Sequence, residues 1–176
     1  MNDSEPRTEI ENIIKKLNID RNSFFEISKN NYKKIENKII SKFIYKKDGF
    51  DFNLNRGYLR YNPKLRCIGI NYLITNVWWE WFKLLPNMIE RTEAFYIVFT
   101  GESYTWIYSG FLDELMLILY HGSPIGGGDC YIVSKKFDWF IGYSDDGDFV
   151  TCVDDSSYFS IDKIAILDKN IKVVIL

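Results

Sequence analysis

The chain holds one histidine, three cysteines and four prolines among 176 residues, and each scarcity excludes something. One histidine without paired cysteines leaves no ligand set for a structural zinc site. An odd number of cysteines with no C-x-x-C spacing excludes a disulfide framework. There is no surplus of positive charge. Lysine and arginine number 22 against 24 acids, a net charge of −2. That argues against a general nucleic-acid binder, which needs a basic field to neutralise phosphates. No apolar run approaches the roughly 18 residues of a membrane span, and the opening MNDSEPRTE has none of the apolar character of a signal peptide. The expected setting is therefore cytoplasmic, away from membranes. Glycine-rich phosphate cradles are also missing. Gly126-Gly127-Gly128 lies after a helical stretch and before a strand-like one, with no Lys-Ser/Thr at its end, so it reads as a connector.

Aromatic side chains, by contrast, are abundant. Thirty of them, within a hydrophobic fraction of 47%, exclude disorder for most of the chain and exceed what one core of this size needs. The surplus is expected to line a groove or a partner interface. The firmest structural signal is Asp129 to Asp155. It reads as three consecutive antiparallel strands broken at Ser134-Lys135-Lys136 and Asp145-Asp146-Gly147. Cys130 and Cys152 fall on its outer strands. Strands two places apart lie about 10 Å from each other, too far for a disulfide, so reduced, partly buried thiols are expected.

Before the meander, Ile10, Ile13, Ile14 and Leu17 have helical spacing, with Thr8 or Ser4 as cap. A second helix is expected from Asn31 to Tyr45, apolar at Tyr32, Ile35, Ile39 and Phe43. Its outer face is rich in lysine (Lys33, Lys34, Lys38, Lys42), and Asp48-Gly49 ends it. Two or three short strands follow between Phe50 and Ile74. Val77 to Leu85 fits either a fully buried strand or a short helix closed by Pro86, and its nearly all-round apolar character and the proline favour the buried helix. Ala94–Thr100 and Tyr104–Tyr108 form a hairpin around Gly101-Glu102-Ser103. A helix from Leu112 to Tyr120 is capped by Ser109 or Gly110 and stopped by Gly122 and Pro124. The tail, Lys163–Leu167 and Ile171–Leu176, reads as one or two closing strands. The fold class is α+β in a single domain of 1–176. Residues 1–47 form helices, and 50–176 form a mainly antiparallel sheet with one or two packing helices, one at about 112–120.

The candidate residues for chemistry have plainer roles. His121 falls at a helix C-terminus, where a partly cationic ring suits the dipole, and no Ser or Cys motif supplies a partner for catalysis. Asp145, Asp146, Asp148, Asp154 and Asp155 suggest calcium, but EF-hand spacing is absent and Asp146-Gly147 is a hairpin turn. No catalytic, cofactor or metal residues are therefore assigned. Charge is unevenly spread. Residues 1–47 carry 11 Lys/Arg against 7 acids, and residues 129–176 carry 5 against 9. Solvated faces explain this, but the aspartates also make an acidic contact surface for a basic partner. Trp78, Trp79 and Trp81 cannot easily all face one interior, which makes that segment a second candidate contact.

The run Asp129-Cys130-Tyr131-Ile132-Val133-Ser134-Lys135-Lys136-Phe137-Asp138-Trp139-Phe140, with Trp106 to Gly110 and the Leu112 to Leu119 helix, resembles uncharacterised bacterial domains. Where those domains often carry an Glu-Asn-His-His-Asp-like run, this chain has Tyr143-Ser144-Asp145-Asp146-Gly147-Asp148, so any role of those histidines does not carry over. Phe140-Ile141-Gly142 to Val150 is similar to the SUKH-type immunity superfamily, small cytoplasmic α+β proteins that neutralise polymorphic toxin domains by binding. The likeness spans residues 104–155, under a third of the chain. It implies a non-enzymatic bacterial interaction protein whose partner is a toxin domain, with no cofactor. The alternative is a ligand-binding domain or enzyme with a pocket beside the sheet, using Asp145, Asp148 or His121. A homo-oligomer burying its Trp segment is a third reading.

Overall fold

In a computed structural model that describes residues 6–45, 61–72, 81–101, 104–122, 128–143, 149–155, 158–165 and 171–176, the first apolar spacing becomes helix α1 (Pro6–Leu17). Ile10, Ile13 and Ile14 are buried. Pro6 begins the helix, where its missing N–H costs nothing, so Thr8 lies inside the helix and is not its cap. Asn18 closes α1 at φ 52°, a left-handed conformation that asparagine tolerates, while the Ile19 N–H reaches back to the Ile14 carbonyl. Helix α2 (Lys29–Phe43) turns Ile35, Ile39, Ile40 and Phe43 inward. It ends at Phe43 because Ile44 is already extended and forms a bridge to Tyr61. Asp48-Gly49, the expected terminator, lies outside the described residues.

Among the described residues, eight strands form one antiparallel sheet. They are β1 (Phe24–Glu26), β2 (Arg66–Tyr72), β3 (Phe95–Gly101), β4 (Tyr104–Gly110), β5 (Asp129–Ser134), β6 (Trp139–Tyr143), β7 (Phe149–Asp154) and β8 (Ile171–Ile175). The order is β1-β4-β3-β5-β6-β7-β2-β8. The hairpin β3–β4 pairs Gly101 with Tyr104, and the meander β5–β6–β7 is present as read. Strand β2 enters late in space although early in the chain, between β7 and β8. With helices on both sides of the sheet, the fold is α+β.

Side chains alternate across the sheet. One face carries Ile68, Ile70, Phe95, Ile97, Phe99, Tyr108, Cys130, Ile132, Trp139 and Ile141. It is covered by α1, by α4 (Leu112–His121) and by a 3-10 turn, Trp81–Leu84, that runs into α3 (Leu85–Met88). Ile164, on α5 (Ile161–Ala165), packs there too. The opposite face carries Cys67, Val98, Ile107, Tyr131, Val133, Phe140 and Val153, and among the described helices α2 alone packs on it.

Three local expectations change. Pro86 sits in the first turn of α3 and opens that helix; it does not close the preceding segment, because proline suits positions whose N–H has no intrahelical partner. Ser109 and Gly110 belong to β4, and Phe111 occupies the cap position of α4. The stretch read as a strand at Lys163–Leu167 begins as α5, an ambiguity inherent in short apolar runs.

Candidate functional site

The residues singled out in the sequence do not converge. Trp81 is buried in the core, its ring stacked on Tyr143 at 5.0 Å and 7°. It therefore offers no surface. Trp78, Trp79, Asp145, Asp146 and Asp148 lie outside the described residues. Asp154 and Asp155 are adjacent in sequence but point to opposite faces of the sheet. His121 is exposed at the end of α4, its ring edge-on to Tyr120 at 5.3 Å.

Asp154 is a structural hub. It pairs across strands with Arg66, whose Nε and Nη2 donate to the two carboxylate oxygens at 3.1 and 2.7 Å. The Phe159 N–H donates to the same carboxylate at 2.8 Å, and the Phe159 carbonyl accepts from Arg66. The carboxylate is 1% exposed. Such a forked, charge-assisted pair ties β2, β7 and the segment before α5 together and holds the Arg66 guanidinium above its ordinary pKa. Asp155 instead accepts from Lys42 of α2 at 2.5 Å, pinning that helix to the end of β7. Asp129, buried at the start of β5, accepts from the Tyr131 hydroxyl at 2.6 Å. Two of the five aspartates read as an acidic edge are thus engaged with cations of this chain.

The thiols are equally committed to packing. Cys67, Cys130 and Cys152 are free and buried. Burial pushes Cys67 up to about 11 and raises Cys130 and Cys152 further, which removes thiolate character at neutral pH. Among the described residues no group of three His, Cys, Asp or Glu is arranged to hold a metal.

Two surface features remain. The first is a cleft of about 540 Å³ between α3 and α5, lined by Met88, Ile89, Glu90, Arg91, Tyr158 and Lys163 among others. Tyr158 stacks on Trp139 at 5.2 Å and donates to Glu93 at 3.1 Å. The second is the turn joining β5 to β6. Phe137 sits there at φ 59°, an unusual conformation for a bulky residue. The surrounding bonds impose it: the Phe137 N–H reaches the Ser134 carbonyl at 3.0 Å, the Asp138 N–H reaches Ser134 Oγ at 2.9 Å, and Ser134 Oγ donates to the Asp138 carboxylate. This conformation lays the Phe137 ring against Tyr96 at 5.7 Å. Lys135 Nζ stands 3.8 Å over Tyr96, and Lys38 Nζ from α2 stands 5.0 Å over Phe137. Burial pushes the Lys135 ammonium down to about 8. Sequence reading had Lys38 on a solvated helix face and Lys135 in a turn. The signal that joins them is the aromatic residue directly after Lys135-Lys136.

The chain belongs to a family of unknown function, DUF6756, whose profile matches residues 3–163. No curated protein and no solved structure matches it.

Proposed function

We propose that this member of the DUF6756 family is a non-enzymatic binding protein of the immunity type, acting by stoichiometric cover of a toxin domain in a bacterial cytoplasm. The observation that carries the reading is the fate of its reactive groups. Asp129 and Asp154 accept internal bonds, and all three thiols lie in the core as neutral groups. Those side chains stabilise the sheet and leave recognition to the surface. The likeness of residues 104–155 to SUKH-type proteins points the same way and supplies the toxin as partner.

Co-expression with the product of the adjacent gene tests this. A stable one-to-one complex and protection of the host from that product are expected; a toxic neighbour that neither binds nor is neutralised overturns it.

A second reading, a ligand-binding domain, is favoured by the cleft between α3 and α5. Its floor is apolar at Met88 and Ile89, while Arg91 and Lys163 offer cations at its edge. A ligand bound there raises the melting temperature, by an amount that grows with the logarithm of its concentration above Kd. An unchanged melting temperature across a panel of anionic metabolites removes this reading.

A further inference from the structure

The structure assigns the docking surface to the α2 side of the sheet, with the Phe137 turn at its centre, and its partner to an acidic protein surface rich in Asp and Glu. The inference rests on the binding reading above and goes beyond it in naming the face and the partner's charge. It also reverses the polarity expected from the sequence, where the aspartates were to receive a basic partner.

The charge is on the page. Lys34, Lys38 and Lys136 are exposed, and Lys135 is half-buried. Lys34 is one helical turn from Lys38, Lys38 stands over Phe137, Phe137 touches Tyr96, and Lys135 stands over Tyr96. Lys34, Lys38 and Lys135 are therefore linked through one aromatic pair, and Lys136 is exposed in the same turn. Among the described residues none of the four is in an ion pair, whereas Lys33 and Lys42 have Glu36 and Asp155. Among the described residues this side thus carries four lysines outside any ion pair, with the Asp138 carboxylate of the same turn bonded to Ser134 Oγ. Such a field steers an oppositely charged partner to that side and rejects like-charged ones.

The layout matches an interface. The Tyr96–Phe137 pair supplies a small aromatic centre and the lysines a polar rim. Phe137 is kept at positive φ by bonds from Ser134 and Asp138, although glycine or asparagine would hold the turn without strain. Strain kept in place by surrounding bonds is characteristic of sites built to present a side chain. All four cations are lysines. Ammonium groups are point charges that suit scattered carboxylates, while phosphate backbones are more often met by the arginine fork.

The test uses the full chain and poly-L-glutamate as probe, with binding followed by fluorescence anisotropy at low and at physiological salt. Wild type is expected to bind, and a Lys34→Glu/Lys38→Glu/Lys136→Glu variant to lose at least tenfold in affinity. Phe137→Asn, which keeps every charge, is expected to lose several-fold while its melting temperature holds. Reversal on the opposite side of the sheet, Lys15→Glu/Lys16→Glu/Lys163→Glu on α1 and α5, is expected to bind within about twofold of wild type. Equal losses in the two triple variants overturn the proposal, since net charge alone would then explain binding. Full affinity in Phe137→Asn overturns the built centre. Tighter binding of a single-stranded oligonucleotide of matched charge overturns the protein partner. The same variants separate this proposal from the immunity reading. A toxin neutralised equally by wild type and by the first triple variant overturns the face and leaves the immunity reading standing. Face-dependent polyglutamate binding with no neutralised neighbour does the reverse.

Discussion

The two faces of the sheet solve the same burial problem differently. One is covered by α1, α4, the Trp81–Met88 segment and α5, and it encloses even its charges, as in the Arg66–Asp154 pair. The other is covered by α2, and at its rim half-buried Tyr96 and Phe137 are roofed by amines. Dense cover stabilises but leaves little to recognise. Thin cover leaves half-buried aromatics at the boundary with solvent, whereas Trp106 on the dense side is itself buried beneath Arg7 and Lys29.

That contrast can be broken most sharply on the dense side. Arg66→Ala leaves the buried Asp154 carboxylate without its guanidinium, and a loss of about 3–5 kcal/mol is expected in urea unfolding. The double change Arg66→Met/Asp154→Leu should cost less than Arg66→Ala alone, because it orphans no charge. A smaller effect is expected between the faces. A Cβ at Gly128 would stand 2.1 Å from the Thr100 carbonyl oxygen, so Gly128→Ala should cost about 1–3 kcal/mol by thermal or urea unfolding. At least this member of the glycine run is packed against β3 and is no free connector.

The thin side should respond weakly in stability. Lys38→Met removes an exposed cation–aromatic contact, and a change below about 1 kcal/mol is expected by the same measurement. A loss as large as that of Arg66→Ala would mean that the lysines are structural, and the contrast would fail.

A separate expected effect is a slope with pH. Above the ordinary thiol value of 9, the cysteines ionise in the unfolded chain while Cys67, held up at about 11, and the deeper Cys130 and Cys152 stay protonated when folded. Stability therefore falls as pH rises beyond 9. Lys135 acts in the opposite sense. Between about 8 and its ordinary 10.5 the unfolded chain keeps the proton that the folded chain has lost, so rising pH favours folding there. Lys135→Met should make the alkaline decline steeper, read as urea midpoints from pH 8 to 10.5. An unaltered slope would place Lys135 fully in solvent.

Much of the fold was legible because it is local. The isoleucines of α1, the hairpin at Gly101 and the three strands after Asp129 announce themselves within windows of a few residues. The short apolar runs were less legible. Lys163–Leu167 read as a strand and starts as a helix, and Pro86 opens a helix it was expected to end, since neither length nor periodicity decides such cases. The three-residue strand β1, beside β4, carries no alternation long enough to be seen. The candidate surface was visible only in parts: a lysine stripe on one helix and a Lys-Lys-Phe turn about a hundred residues later.

The sequence by itself determined an aromatic-rich α+β chain, its two N-terminal helices, its central meander and its near-neutral charge. Those properties arise from side-chain periodicity and turn chemistry between neighbours. Only the tertiary structure decided which charges are free. Arg66 meets Asp154 across 88 residues and Lys42 meets Asp155 across 113, because β2 inserts beside β7 and α2 lies over the opposite face. Partners so distant are selected by packing, and no local pattern of residues records them.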